Sequence, residues 1–295
     1  MIRNKLFRFF DSIIKYFVLV YHTLWRDLRG YWYLISLKFD IAEAILKNLT
    51  TDSYLERHAS RNPSKIALIF EEKSYSFRDV HHFTNQIANV FTKNGFKPGD
   101  NVALFMPSKP EHAMIWYGLS KIGVVTALIN ENLRSESLIH CIKCVHPKAV
   151  IFDSEFENEI YSSLEKDIQL EYFVFGSQES GTERKINSID LQNKMNDETG
   201  DRLISNHKNK MNDALLYIFT SGTTGYPKAL VALCSFPPKF VRFDRHEIVY
   251  NCLPMYHAMG LGTTLMSLIF GHTVVIRRKF SASQFWEDCI KHDCT

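Results

Sequence analysis

A chain of 295 residues with an apolar fraction of 45% can bury two core-bearing units, which excludes a disordered protein. Its net charge of +3, with no arginine-rich or aromatic-interleaved tract, excludes a nucleic-acid partner. Six cysteines without a secretory signal exclude a disulfide framework, so reduced thiols on a cytosol-facing protein are expected.

The basic excess is local. Arg3, Lys5, Arg8, Lys15, Arg26, Arg29 and Lys38 crowd the first forty residues against Asp11, Asp27 and Asp40, a balance suited to an anionic membrane surface. In the same stretch Phe10, Ile13, Ile14, Phe17, Tyr21, Leu24 and Leu28 recur at helical spacing, with Asp11, Lys15, His22, Arg26 and Arg29 on the other side. The pattern predicts an amphipathic helix. Asp11, Lys15 and His22 interrupt it before it reaches the roughly 20 apolar residues of a spanning helix. It is expected to lie in the interface, with Trp25, Tyr31, Trp32 and Tyr33 at headgroup level. Packing of the helix on the protein's own core is the alternative. No small-residue cleavage site follows, which argues against a signal peptide.

Short apolar, β-branched runs at 66–70, 102–106, 124–129, 149–152, 172–175 and 215–220 predict buried strands. Helical patterns alternate with them, most clearly over 77–94 and 111–122, where Ile115, Leu119 and Ile122 share a face. Such alternation predicts an α/β fold of parallel sheets covered by helices. His81 and His82 read as surface residues. His140-Cys141-Ile142-Lys143-Cys144-Val145-His146 looks like half a zinc site, but no second Cys/His pair accompanies it, so no metal ligand is assigned. From Ser177 to Asn212 the chain turns polar and charged and reads as a surface connection.

That connection delivers Ala214 to Phe219, an apolar run, to Thr220-Ser221-Gly222-Thr223-Thr224-Gly225-Tyr226-Pro227-Lys228. Glycines let the backbone turn tightly and aim its N–H groups inward, hydroxyls add neutral donors, and lysine brings a mobile positive charge to polyphosphate oxygens. The spacing is not Walker A, because no Gly-Lys-Ser or Gly-Lys-Thr occurs. Past the loop, Cys234 to Lys239 carries Pro237-Pro238, which does not sit inside a helix.

The loop resembles, at nearly every position, the phosphate-binding signature of the adenylate-forming enzymes. Three other segments resemble the fatty acid transport proteins, or very-long-chain acyl-CoA synthetases: Val102 to Arg134, Ile248 to His257 with its paired Tyr256-His257, and Thr273 to Trp286. This resemblance runs from about Leu55 to the last residue and matches only the N-terminal half of that family. It implies a ligase that joins a long-chain or very-long-chain fatty acid to CoA, through an acyl-adenylate formed from ATP. Thr220 through Lys228 would hold the nucleotide, with Thr223 and Lys228 in catalytic roles and Tyr256 and His257 at the acyl group. Mg2+ would accompany ATP, its usual carboxylate ligand lying beyond this chain. Location at the endoplasmic reticulum or plasma membrane, with the catalytic part facing the cytosol, is also implied, and self-association is left open. Residues 1–45 are expected to form the membrane-associating segment, 46–205 a first α/β subdomain, and 206–295 the start of a second. The chain is expected to be truncated and inactive alone; a non-catalytic membrane-bound fatty-acid binding, transport or regulatory fragment is the alternative.

Overall fold

The basic, apolar N-terminus folds as one helix, α1 (Ile2–Leu46), longer at both ends than its sequence periodicity marked. At 1.5 Å per residue it extends about 68 Å, and Phe10, Ile14, Phe17, Tyr21, Leu24, Trp25 and Leu28 are all exposed on it. No helix among the described residues is long and apolar enough to cross a membrane. The computed structural model describes residues 2–164, 170–176, 184–201, 203–220, 228–233 and 247–295. These divide into two compact units, one ending at Lys47 and one beginning at Asn48.

The second unit opens with α2 (Thr51–Arg61), the hairpin β1 (Ile66–Phe70) and β2 (Lys73–Ser76), and α3 (Phe77–Lys93). Ser76 starts α3 with a reciprocal cap: its Oγ accepts from the Asp79 N–H at 3.2 Å, while its own N–H donates to the Asp79 carboxylate at 2.8 Å. Then follow β3 (Asn101–Phe105), α4 (Pro110–Ser120), β4 (Val125–Leu128), α5 (Ser135–Lys143), β5 (Ala149–Asp153), α6 (Glu157–Leu164) and β6 (Glu171–Phe175). A short β7 (Ile189–Asp190) and α7 (Leu191–Asn196) precede β8 (Ala214–Thr220) and β9 (Lys228–Leu233). The chain ends with β10 (Ile248–Asn251), α8 (Ala258–Phe270), β11 (Thr273–Ile276) and α9 (Phe285–Lys291).

Two sheets result. The larger has the order β7-β6-β5-β3-β4-β8-β9, parallel throughout except for β9, and the smaller has the order β10-β11-β1-β2. Each takes strands from both sides of residue 205. Both faces of the larger sheet are covered, and the period-2 alternation divides its side chains between two cores. Val102, Leu104, Leu128, Ile151 and Phe173 pack with residues of α3 and α4, whereas Ala103, Phe105, Ala127, Val150, Phe152 and Val174 pack with Leu138, Ile142, Ile160 and Leu164 from α5 and α6. Helix α4 is buried all round rather than on the one face its periodicity marked. Gly118 permits this, since a Cβ there would lie 2.7 Å from both the Ile87 side chain and the Thr84 carbonyl of α3.

One sequence reading is corrected and another gains detail. His81 and His82 are half-buried, and the His82 imidazole accepts the Gly200 N–H at 3.3 Å. The segment expected to be a surface connection is mostly exposed or half-buried where it is described, and it is also bound to α3. Gln86 donates to the Met195 and Glu198 carbonyls at 2.9 and 3.0 Å, Asn85 donates to the Gly200 carbonyl at 2.8 Å, and Asn89 accepts the Ile204 N–H at 2.9 Å. The polar character that marked a loop supplies backbone groups for a row of buried amides.

Candidate functional site

The parallel strands β3, β4, β5, β6 and β8 all end at one edge of the larger sheet, the edge where open α/β sheets hold ligands. Thr220 closes β8 there, and the chain returns antiparallel with Lys228 directly opposite it, so the loop between them is closed by a strand pair. The Thr220 hydroxyl donates to the Lys228 carbonyl at 3.4 Å, and both residues are exposed. A lysine that opens β9 has its backbone fixed in a ladder while its side chain stays in solvent. Ser221, Gly222, Thr223, Thr224, Gly225, Tyr226 and Pro227 lie outside the described residues, as does the Cys234–Lys239 stretch.

Tyr256 and His257 lie in the turn between β10 and α8, with ring centroids 6.5 Å apart. The turn is held at several points. Asn251, almost fully buried at the end of β10, accepts the Leu253 N–H at 3.1 Å and donates to the Gly260 carbonyl at 2.8 Å and the Thr264 hydroxyl at 2.9 Å. Ser108, past the end of β3, accepts the Met255 N–H at 3.0 Å. A Cβ on Gly260 would sit 2.3 Å from the Pro254 carbonyl oxygen and 2.6 Å from that of Leu253, so the first turn of α8 can lie on this backbone only as glycine.

Asn132 links the two parts of the site. It follows β4, the strand paired to β8, and donates to the Tyr256 hydroxyl at 3.2 Å. Its own N–H is held by Asn130 Oδ1 at 2.9 Å. Tyr256 is thus brought to the same sheet edge as Thr220. Burial raises its phenol pKa, the Asn132 hydrogen bond acts against that, and Glu131 adds to it. His257 is exposed and forms the N-cap of α8 without a side-chain capping bond.

Charged groups line the same edge. Lys109 pairs with Asp153 across the ends of β3 and β5 and lies 5.2 Å from the Phe175 ring centroid. Arg278 pairs with Glu155 at 2.9 Å. Burial pushes the Glu131 carboxyl up, against the pull of Arg278. Among the described residues no group of three or more His, Cys, Asp or Glu is placed to hold a metal ion. Sequence reasoning assigned no role to Ser108, Asn132 or Asn251. The one signal was the cluster of small polar residues just past apolar strands, which also marks ordinary turns.

The covered α/β sheet, with Thr220 and Lys228 paired at its carboxyl edge, has the fold of solved CoA ligase domains. It superimposes on the inhibitor-bound N-terminal domain of FACL13 from Mycobacterium tuberculosis with a TM-score of 0.71 at 22% identity, covering 83% of this chain and 61% of that one. The anthranilate CoA ligase AuaEII, solved with anthranoyl-AMP, gives a TM-score of 0.75 at 18% identity, covering 84% of this chain and 49% of that one. The sequence profile described as AMP-binding enzyme matches residues 55–295, and the chain belongs to that family. It is 34% identical to long-chain fatty acid transport protein 1 of Rattus norvegicus, over 95% of this chain and 45% of that protein. The chain therefore spans about half the length of the curated relatives it matches.

Proposed function

We propose that this chain carries the phosphate-binding and acyl-binding elements of an ATP-dependent fatty acid–CoA ligase. The fatty acid carboxylate attacks the α-phosphorus of ATP and expels pyrophosphate; the CoA thiol then displaces AMP from the acyl-adenylate. A carboxylate is already a nucleophile, so the protein's task is to position it and to offset charge on the transferring phosphate. Lys228 neutralises the departing pyrophosphate, Thr223 and the other hydroxyls of the loop bind the β- and γ-phosphates, and Gly222 and Gly225 allow close approach. Tyr256 and His257 face the acyl group, and ATP brings Mg2+ with it. The membrane surface is the place where α1 and the fatty acid meet.

The observation that carries the reading is the strand pair that sets Thr220 opposite Lys228 at the sheet edge reached by Tyr256, in a chain of the AMP-binding enzyme family. ATP–pyrophosphate exchange driven by a long-chain fatty acid, measured on a version of this chain extended to the full length of its relatives, tests it. Lys228→Ala is expected to cut exchange on the order of 100-fold, the loss typical of removing one charge-stabilising donor, while fatty-acid binding stays within about twofold, a difference of only ~0.4 kcal/mol. Unchanged exchange overturns the role of Lys228. Fatty-acid binding by the wild-type protein without any exchange would leave the non-catalytic reading in its place.

A further inference from the structure

The five cysteines among the described residues are free thiols, and three of them lie in or next to β10 and α9. Cys252 follows β10, Cys289 lies in α9 and Cys294 lies just beyond it. Helix α9 ends with Asp293 in the left-handed region at φ 50°, and the Cys294 N–H donates back to the Cys289 carbonyl at 2.9 Å. A six-to-one closure of this kind brings the first and sixth side chains together. Here those side chains are Cys289 and Cys294.

The surroundings fix both ends of this turn. Asp288 accepts the Tyr250 hydroxyl at 3.0 Å and the Arg277 Nε–H at 2.8 Å. The Thr295 N–H donates to the Ile248 carbonyl at 3.0 Å, and the Thr295 hydroxyl accepts the Ile248 N–H at 3.2 Å. The residue after Cys294 therefore pairs with β10, an outer strand of its sheet among the described residues.

We propose that Cys289 and Cys294 form a redox-sensitive pair that a hydroperoxide closes to an intrachain disulfide, fastening the turn after α9 and the Thr295–Ile248 pairing on β10. One thiolate attacks the peroxide; the O–O bond breaks, a sulfenic acid forms and water or an alcohol leaves. The second thiol attacks that sulfur, the S–S bond forms, the S–O bond breaks and a second oxygen departs as water. The two sulfurs give up two electrons, and the peroxide takes them. Burial, the Cys289 thiol, Asp288 and Asp293 push the Cys294 thiol up to about 11, so thiolate is scarce at neutral pH. The pair is a slow crosslink, its second step favoured by proximity, rather than a fast peroxide sensor.

Trypsin cuts after Lys291, between the two thiols. The full chain, treated with hydrogen peroxide, alkylated and digested, is expected to give a dithiothreitol-sensitive crosslink between the Cys289 and Cys294 peptides. This crosslink should be lost in Cys294→Ser and retained in Cys252→Ser. The Thr295 amide should exchange several-fold more slowly with deuterium in the oxidised protein. A disulfide to Cys252, or over-oxidation of both sulfurs without a crosslink, overturns the pairing.

Discussion

At the scale of single residues the most exposed cost in this fold is hidden. His112 sits in the first turn of α4, fully buried, with no partner for either ring nitrogen among the described residues. Burial, reinforced by the Lys109 charge, holds its pKa down to about 3. The unfolded chain therefore takes up a proton near pH 6.5 that the folded chain refuses. Stability from this residue is whole above that pH and falls as pH drops toward 3, by at most about 1.4 kcal/mol per unit. His112→Leu should remove that slope and leave stability at pH 7 unchanged or raised by up to ~1 kcal/mol, because two unsatisfied atoms leave the core. Urea midpoints at pH 7 and pH 5 check this, and an equal acid loss in both proteins would count against it. The sequence did not mark His112, since a histidine after Lys-Pro-Glu reads as the exposed start of a helix until the burial of α4 on every side is known.

Elements show where sequence periodicity was informative and where it stopped. The six predicted strand runs all form strands and the two clearest helices form α3 and α4, because each alternates or repeats against a face that is buried. The strap from Met195 to Ile204 was read as solvent-facing because its own residues are polar. What holds it is the opposite partner: Asn85, Gln86 and Asn89, spaced to share one side of α3, point amides at its backbone. Three amides grouped on one side of α3 were a legible sign of a backbone ligand. Asn89→Ala leaves the Thr199 carbonyl and the Ile204 N–H unpaired near the core, at a cost of ~2 kcal/mol. Hydrogen exchange should quicken first over 197–206 while β3 and β5 stay protected; uniform loss across the sheet would show that the strap is not a separately held element.

Across the whole molecule, the sheets join segments that sequence reading treated apart. β1 pairs with β11 across some 200 residues, Leu68 beside Val274, and local propensity carries no signal for such a partner. The candidate site depends on this closure, because the strand order carries the β10–α8 turn that bears Tyr256. The proposed phosphate loop stands out by its composition; the Asn132 bridge to Tyr256 does not, since it joins residues 124 apart.

The first unit poses the remaining question at this scale. Helix α1 leaves Phe17, Tyr21, Trp25, Tyr31 and Trp32 each more than 60% exposed, a loss that water does not reward. Acidic residues interspersed along it, Asp11, Asp27, Asp40 and Glu43, offset four of its seven basic charges, so in the proposed membrane contact burial of aromatic surface is expected to supply more of the lipid affinity than charge does. In vesicles rich in anionic phospholipid, removal of residues 1–47 should abolish co-sedimentation, whereas salt at about 0.5 M, which screens charges beyond a few ångströms, should weaken binding of the intact chain without releasing it. Trp25→Ser combined with Trp32→Ser should cost more affinity than Arg26→Ser combined with Arg29→Ser. Equal sedimentation of the shortened chain would move the membrane contact to the second unit, and release by salt alone would make the helix an electrostatic rather than an apolar anchor.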